Sequence, residues 1–182
     1  MKQREREKAL QARRALSEQE REEKSARICA YLASLPEIGN AEIIFSYRAL
    51  EDEVDLSIFH TWCKIHKKKL AFPVCTTERK MEAYLPNVEE AFAKGFFGVM
   101  EPVPEKSTLL TPEELDVAVV PMVAFDANRN RCGHGNSYYD NYLKNSGAYR
   151  IGVAFETQRQ DTLTVEPQDI PMDLILTEQN IY

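Results

Sequence analysis

No stretch of this chain approaches the roughly 20 consecutive apolar residues that a membrane-spanning helix needs. The N-terminus, MKQREREKALQARR, has no apolar segment of the kind a secretory signal carries. Cysteine is scattered as Cys29, Cys63, Cys75 and Cys132, with no Cys-x-x-Cys pair. That pattern argues against a zinc site or a disulfide frame and leaves reduced thiols in a cytoplasmic protein as the expectation. Internal repeats, low-complexity tracts and linkers are missing as well, so residues 1–182 are expected to form a single domain. Positive charge is not in surplus. The 23 Lys and Arg against 29 Asp and Glu leave a net charge of −6, where a general nucleic-acid binder would be basic. An anionic ligand would need its positive partners concentrated locally. Two places offer that: the first 14 residues, and Arg129 with Arg131.

What is present suits a globular protein, with 43% hydrophobic and 29% charged residues and enough length to bury a core without staples. Residues 2–15 are charged, poor in Gly and Pro, and favour helix. Ser17-Glu18-Gln19-Glu20 is a Ser-x-x-Glu capping box, which predicts a second helix running to about Leu35, with Ile28, Tyr31 and Leu32 on one face before Pro36 breaks it. EIIFSY (42–47) reads as a buried strand. DLSIFHTWCKIHKK (55–68) reads as an amphipathic helix with Ile58, Trp62 and Ile65 on one side, and KLAFPV (69–74) as a short strand meeting Pro73. Residues 88–94 suggest a short helix and 95–105 a loop punctuated by Pro and Gly. DVAVV (116–120), YRIGVAF (149–155) and MDLILT (172–177) read as strands, and SYYDNYLKN (137–145) as a helix. Strands alternating with helices predict an α/β fold: a mostly parallel central sheet flanked by helices on both faces, with an N-terminal helical segment.

The chemistry-bearing stretch is NRNRCGHGNSYYD (128–140), between a strand and a helix. In open α/β sheets, ligands bind beyond the carboxyl ends of strands. Such a loop offers backbone N–H groups and the positive end of a helix to an anion. Gly133 and Gly135 would let a phosphate come close, Arg131 would add a fork of donors, and Asp140 would suit magnesium shared with phosphate oxygens. It is neither a Walker A loop, having no Gly-Lys-Ser/Thr, nor a dinucleotide fingerprint, since Tyr138 stands at the final glycine position. On spacing alone an ordinary helix start is an equal reading, because Ser137-x-x-Asp140 also matches a capping box and the tyrosines also suit a core.

Weaker signals surround it. EDEVD (51–55) reads first as a solvated helix start and second as a source of one inward carboxylate for an amine-bearing ligand. Lys2 and Arg6 share a helix face, although a frayed terminus is the simpler expectation. His60 and His66 read as surface residues, Asp126 and Asp169 as turn or cap residues, and Lys64, Lys67, Lys68 and Lys69 as a solvated helix face.

Several motifs recur in one order along nearly the whole chain. They are Lys2-Gln-Arg-Glu-Arg6, Arg14-Ala-Leu-Ser17, FSYRALEDEVD with Glu53, and GVMEP (98–102). PMVAFD (121–126), RCGHGNSYYD (131–140), GVAFETQ (152–158) and PQDIPMDLILTE with Asp169 follow. No one piece is specific, but the ordered set resembles the 5-formyltetrahydrofolate cyclo-ligase family, the methenyltetrahydrofolate synthetases. The resemblance implies one α/β domain and an enzyme that uses ATP and Mg2+ to convert 5-formyltetrahydrofolate, with or without a polyglutamate tail, to 5,10-methenyltetrahydrofolate, ADP and phosphate. No nucleic acid, membrane or obligate protein partner is implied.

The resemblance also implies roles. ATP would be held by Lys2, Arg6, Arg131, Cys132, Gly133, His134, Gly135, Asn136, Ser137, Tyr138 and Tyr139. Folate would be held by Arg48, Glu53, His134 and Tyr138, and magnesium by Asp140 and Asp169. Arg131 and Tyr138 would be catalytic. Phosphorylation would turn the formyl oxygen into a leaving group for attack by N10, with positioning and charge stabilisation as the protein's task. The sequence departs from the family pattern at Ser137, Met122, Ala124 and Arg129, where glycine is usual or frequent. If position 137 needs φ > 0, serine costs about 1 kcal/mol or more; otherwise Ser137 is a helix cap. A relative that binds nucleotide and pterin without turnover is the second reading, and an unrelated α/β domain the third.

Overall fold

The structure is a computed structural model and describes residues 1–75, 80–95 and 98–182. The chain begins with helices α1 (Lys2–Arg14), α2 (Glu18–Ser34) and α3 (Pro36–Asn40). Strand β1 (Ile43–Phe45), helix α4 (Ser57–Ile65) and strands β2 (Lys69–Cys75), β3 (Met81–Pro86), β4 (Phe92–Lys94), β5 (Met100–Pro102) and β6 (Ser107–Leu110) follow. Strands β7 (Val117–Pro121), β8 (Ala124–Phe125) and β9 (Arg131–Cys132) precede helix α5 (Tyr138–Leu143), and β10 (Tyr149–Val153) and β11 (Leu174–Leu176) complete the fold.

Seven strands form one sheet in the order β11-β10-β7-β1-β2-β3-β6. It is parallel from β11 to β2 and antiparallel through β3 and β6. The central strands are apolar in both directions, as strands covered on both faces must be. Val117, Val119, Ile151 and Val153 pack with Ile28 and Leu32 of α2 and Phe59 and Cys63 of α4. Phe45, Ala118, Val120 and Ile175 pack on the other face with Leu143 of α5. Phe59 is wholly buried, and its truncation to Ala would cost about 3–5 kcal/mol.

Polar side chains fix the strand ends. Asp116 Oδ2 accepts the backbone N–H groups of Glu42 and Ile43, each at 2.8 Å, and so ties the start of β1 to that of β7. Arg150 donates through Nε and Nη2 to the two oxygens of Asp173 at 2.8 and 2.9 Å, joining β10 to the approach of β11. The expected capping box of α2 is present: Ser17 N donates to Glu20 Oε2 at 2.8 Å and Glu20 N to Ser17 Oγ at 3.2 Å.

Several local expectations are corrected. Residues 92–94 of the expected helix form β4, which pairs with β5 inside the expected loop over 95–105; residues 96 and 97 of that loop lie outside the described residues. Strands β3 and β6 were not expected at all. The buried edge of α4 is Phe59 with Cys63, while Ile58 is 57% and Ile65 71% exposed. Phe59 and Cys63 share the core with α2, and Trp62 of the expected face packs against it while only partly buried. His60 is also drawn inward. It shares a 2.7 Å hydrogen bond with Ser46 Oγ and sets its ring edge-on to Phe72. Burial holds it at about 4, helped by the nearby Arg48 charge.

All four thiols are free. Burial raises Cys29 to about 11 and Cys63 and Cys75 to about 12. Among the described residues no helix is long and apolar enough to cross a membrane.

Candidate active site

A cleft of about 730 Å³ opens where β1 and β7 end, in the size range of small-molecule sites. Lys2, Arg6, Arg48, Glu53, residues 131–140 and Asp169 all line it. The structure therefore brings every expected site residue to one place, from four separate parts of the chain.

Helix α1 delivers Lys2 and Arg6, and it is held firmly. Ala9 packs with Val123, Ala124 and Cys132. The Glu5 carboxylate accepts from Thr164 Oγ1 at 2.7 Å. Arg13, wholly buried, donates to Asp52 at 2.8 Å and lies 3.9 Å from Glu53. The simpler expectation of a frayed terminus is overturned by these anchors. Arg6 Nε donates to the carbonyl of Gly133 at 2.8 Å, joining α1 to the glycine loop. Lys2 Nζ donates to Glu166 at 2.9 Å and to Asp169 at 2.5 Å. Desolvation pulls the Lys2 ammonium down, but the bonds to Asp169 and Glu166 outweigh it and leave its pKa above the ordinary value.

The glycine loop has the backbone its composition suggested, with one exception. Gly135 sits at φ 100°, and a Cβ there would come within 3.4 Å of the Arg6 guanidinium. Ser137 adopts φ 53° and ψ 22°, a left-handed conformation, and its side chain caps nothing. The alternatives at this position are thus resolved for a required positive φ. Arg129, another departure from glycine, stands at φ 66°. The bulk at Met122 fills the space over Gly152, where a Cβ would collide with the Met122 methyl group.

Asp140 does not complete a capping box with Ser137. Its Oδ2 accepts from Arg131 Nη2 at 2.8 Å and its Oδ1 from Ile170 N at 3.2 Å. Arg131 also lies over the Tyr139 ring, 5.6 Å from its centroid, and its buried Nε has no hydrogen-bond partner among the described residues. Asp169 is a turn residue, as expected, since its Oδ2 accepts Glu166 N at 2.7 Å, but it also reaches the cleft. Asp126 stays a buried turn residue, accepting from Asn128, Asn130 and Leu163.

Glu53 turns inward. It accepts from Leu50 N at 3.0 Å and faces His134 Nε2 at 3.4 Å. Arg48 lies over Phe72 and Phe92, at 5.0 and 4.6 Å from the ring centroids, and desolvation lowers its pKa. The phenols of Tyr47 and Tyr139 are raised first by burial and then by Glu53. Arg13, Glu101 and Glu166 were missed as site residues. Arg13 follows Ala9 at the i, i+4 interval on the buried side of α1, and Glu101 stands in the GVMEP motif; no sequence signal marks Glu166. The lysines at 64, 67, 68 and 69 do not line the cleft; Lys68 binds the carbonyls of Gly39 and Ala41, and Lys69 binds Glu42.

A parallel sheet with a glycine loop and converging cations at its carboxyl edge is the architecture of a small-ligand α/β enzyme. Residues 1–178 match the family model described as the 5-formyltetrahydrofolate cyclo-ligase family, and the chain belongs to that family of enzymes. It is 24% identical over 177 residues to the 5-formyltetrahydrofolate cyclo-ligase of Escherichia coli K12, covering 94% of this chain and 97% of that one. It is 34% identical over 96 residues to the Haemophilus influenzae protein of that name, about half of each chain (51% and 50%). The NMR structure of Aquifex aeolicus 5,10-methenyltetrahydrofolate synthetase matches with a TM-score of 0.87 at 34% identity, over 99% of this chain and 91% of that one. The Mycoplasma pneumoniae 5,10-methenyltetrahydrofolate synthetase structure matches at 0.79 and 25%, over 97% and 98%.

Proposed function

We propose that this enzyme closes 5-formyltetrahydrofolate to 5,10-methenyltetrahydrofolate at the expense of ATP. The observation that carries the reading is one cleft lined by cations and glycine-loop backbone together with apolar side chains. Lys2, Arg6, Arg131 and the backbone of the glycine loop offer donors for phosphates. Phe72, Pro73, Met81 and Met100 offer apolar wall, with the inward Glu53 as acceptor for paired N–H groups of a pterin. Transfer of the terminal phosphoryl group to the formyl oxygen makes that oxygen a leaving group, and Arg131 stabilises the charge that builds there. Tyr138 flanks the same space and orients the folate. Attack by N10 on the formyl carbon then expels phosphate.

The acids fit a magnesium ion delivered with the nucleotide. Among the described residues no group of three or more His, Cys, Asp or Glu forms a metal cage. Mg2+ needs one or two carboxylates when phosphates and water complete its shell. Asp140 and Asp169 both line the cleft and would supply them; the ion would neutralise phosphate charge during transfer. The test is absorbance in the methenyl-folate band with purified protein, 5-formyltetrahydrofolate and Mg-ATP. The expected rise requires both ATP and magnesium. Nucleotide binding with no rise would select a binding protein of the same fold instead.

A further inference from the structure

Two acids in the cleft, Glu101 and Glu166, are not used by this chemistry, and Glu166 is held by Lys2. Glu101, on β5, is partly buried in the cleft wall, packed over Gly95 and bonded to the backbone of Cys75. Phe72, Pro73, Met81, Val99 and Met100 line the same cleft. Every other carboxylate of the cleft lies beside a cation or an imidazole. Glu53 faces Arg13 and His134, Asp140 binds Arg131, and Lys2 holds both Glu166 and Asp169. Among the described residues Glu101 has no such cation. Strand β5 packs against β2, β3 and β4. Their titratable groups are Cys75, which stays a neutral thiol, Tyr84, and the exposed Lys69, Glu82 and Lys94, and the Arg48 guanidinium lies over Phe72 of β2 and Phe92 of β4.

Ring closure needs a proton acceptor. As the N10–carbon bond forms and the carbon–oxygen bond to phosphate breaks, N10 must lose its hydrogen, or the product would carry a second positive charge. A base on the cleft wall, near the folate and away from the phosphates, suits that task. We infer that Glu101 is the group that takes the N10 proton, an assignment that rests on the cyclo-ligase reading. The proton goes to a Glu101 oxygen and then to solvent, phosphate leaves with the electron pair of the broken bond, and no redox partner is involved. Desolvation raises Glu101, with the Cys75 bond acting against it, so its basicity lies closer to working pH than that of an exposed carboxylate.

The test separates the two chemical steps in a single turnover, with ADP read after quenching and ring closure read by absorbance. The Glu101→Gln protein should form ADP at the wild-type rate yet close the ring about 100-fold more slowly or worse. Glu101→Asp should close it at an intermediate rate, and formate should restore part of the rate to Glu101→Ala. Ring closure by Glu101→Gln at the wild-type rate would overturn the assignment. So would a parallel fall of ADP formation and closure, which would mark a binding or phosphoryl-transfer role. Stalling after ADP in His134→Gln but not in Glu101→Gln would move the base to His134. If Glu101→Gln does not fold, the ratio of ADP formation to closure in Glu101→Asp decides in the same way. A wild-type protein that makes no methenyl product with Mg-ATP would remove the functional reading itself, a result distinct from all of these.

Discussion

Arg131 and Asp140 bind each other at 2.8 Å, although the family resemblance gives one to phosphate and the other to magnesium. The pair is nearly buried, with the side chains 4% and 11% exposed. Removing one member of such a pair leaves an uncompensated charge, at a cost of about 3–5 kcal/mol. Asp140→Asn keeps the shape and the acceptor for Ile170 N but strips the charge facing Arg131. We expect a folded protein about 3 kcal/mol less stable in urea melts, the low end because the cleft admits water, with magnesium-dependent turnover lost. A loss below about 1 kcal/mol with turnover intact would reduce Asp140 to a helix-terminal residue.

Ser137 carries backbone strain where Gly135, two residues earlier, carries none. At φ 53° a Cβ is unfavourable, and a glycine there relieves about 1 kcal/mol. Its side chain makes no cap bond that would be lost. Ser137→Gly should therefore raise the urea midpoint by an amount equivalent to about 1 kcal/mol, with KM for ATP unchanged or lower. Destabilisation would mean that the serine hydroxyl does something its geometry does not reveal.

Lys2 offers a cleaner separation of binding from folding. Its partners Glu166 and Asp169 are partly exposed, and ion pairs of this kind contribute about 0–1 kcal/mol. Lys2→Met should leave the melting temperature nearly unchanged and raise KM for ATP by about tenfold, the effect of losing one charge-assisted contact. Because its bonds to Asp169 and Glu166 keep the ammonium charged, this contribution should not vary between neutral and mildly alkaline pH. An unchanged KM would remove Lys2 from the nucleotide site.

The fold was legible where pattern and packing agree. The runs around Ile44, Val119, Ile151 and Ile175 are apolar on both faces, which only a covered parallel strand requires. The failures fall where tertiary pairing overrides local preference. VEEAFAK is rich in helix formers, yet Phe92–Lys94 pairs with Met100–Pro102. Strands β3 and β6 sit toward one edge of the sheet and mix polar with apolar residues, so no continuous apolar run announces them. At the site, the glycine loop alone could not separate an anion cradle from a helix cap. What the sequence could not show is that Arg6, Asp140 and Ser137 converge, through contacts between residues up to 127 positions apart. Glu101 stands in GVMEP with no sequence signal of a task, because the Cys75 backbone that binds it and the strands β2, β3 and β4 beside β5 are brought there only by the fold.

His60 gives the protein a pH dependence that the sequence did not suggest. Its folded value, about 4, lies below the ordinary 6.5 because burial disfavours the imidazolium. Between these values the unfolded chain binds a proton that the folded protein does not, so stability rises with pH across that window. The contribution is complete above pH 6.5 and is lost as pH falls toward 4, amounting to about 3 kcal/mol over the whole range. Asp52 and Asp173 act in a lower window. Burial raises both, but Arg13 and Arg150 respectively outweigh it and lower them, so their contribution holds above the ordinary aspartate value and fades below it. Urea melts from pH 7 to 4.5 should therefore show a decline that Glu and Asp pairs do not explain. His60→Gln keeps a hydrogen-bonding group for Ser46 Oγ but cannot titrate, so its stability should be nearly flat over the same range. A decline equal to that of wild type would assign the acid sensitivity elsewhere and leave the Ser46–His60 bond as packing alone.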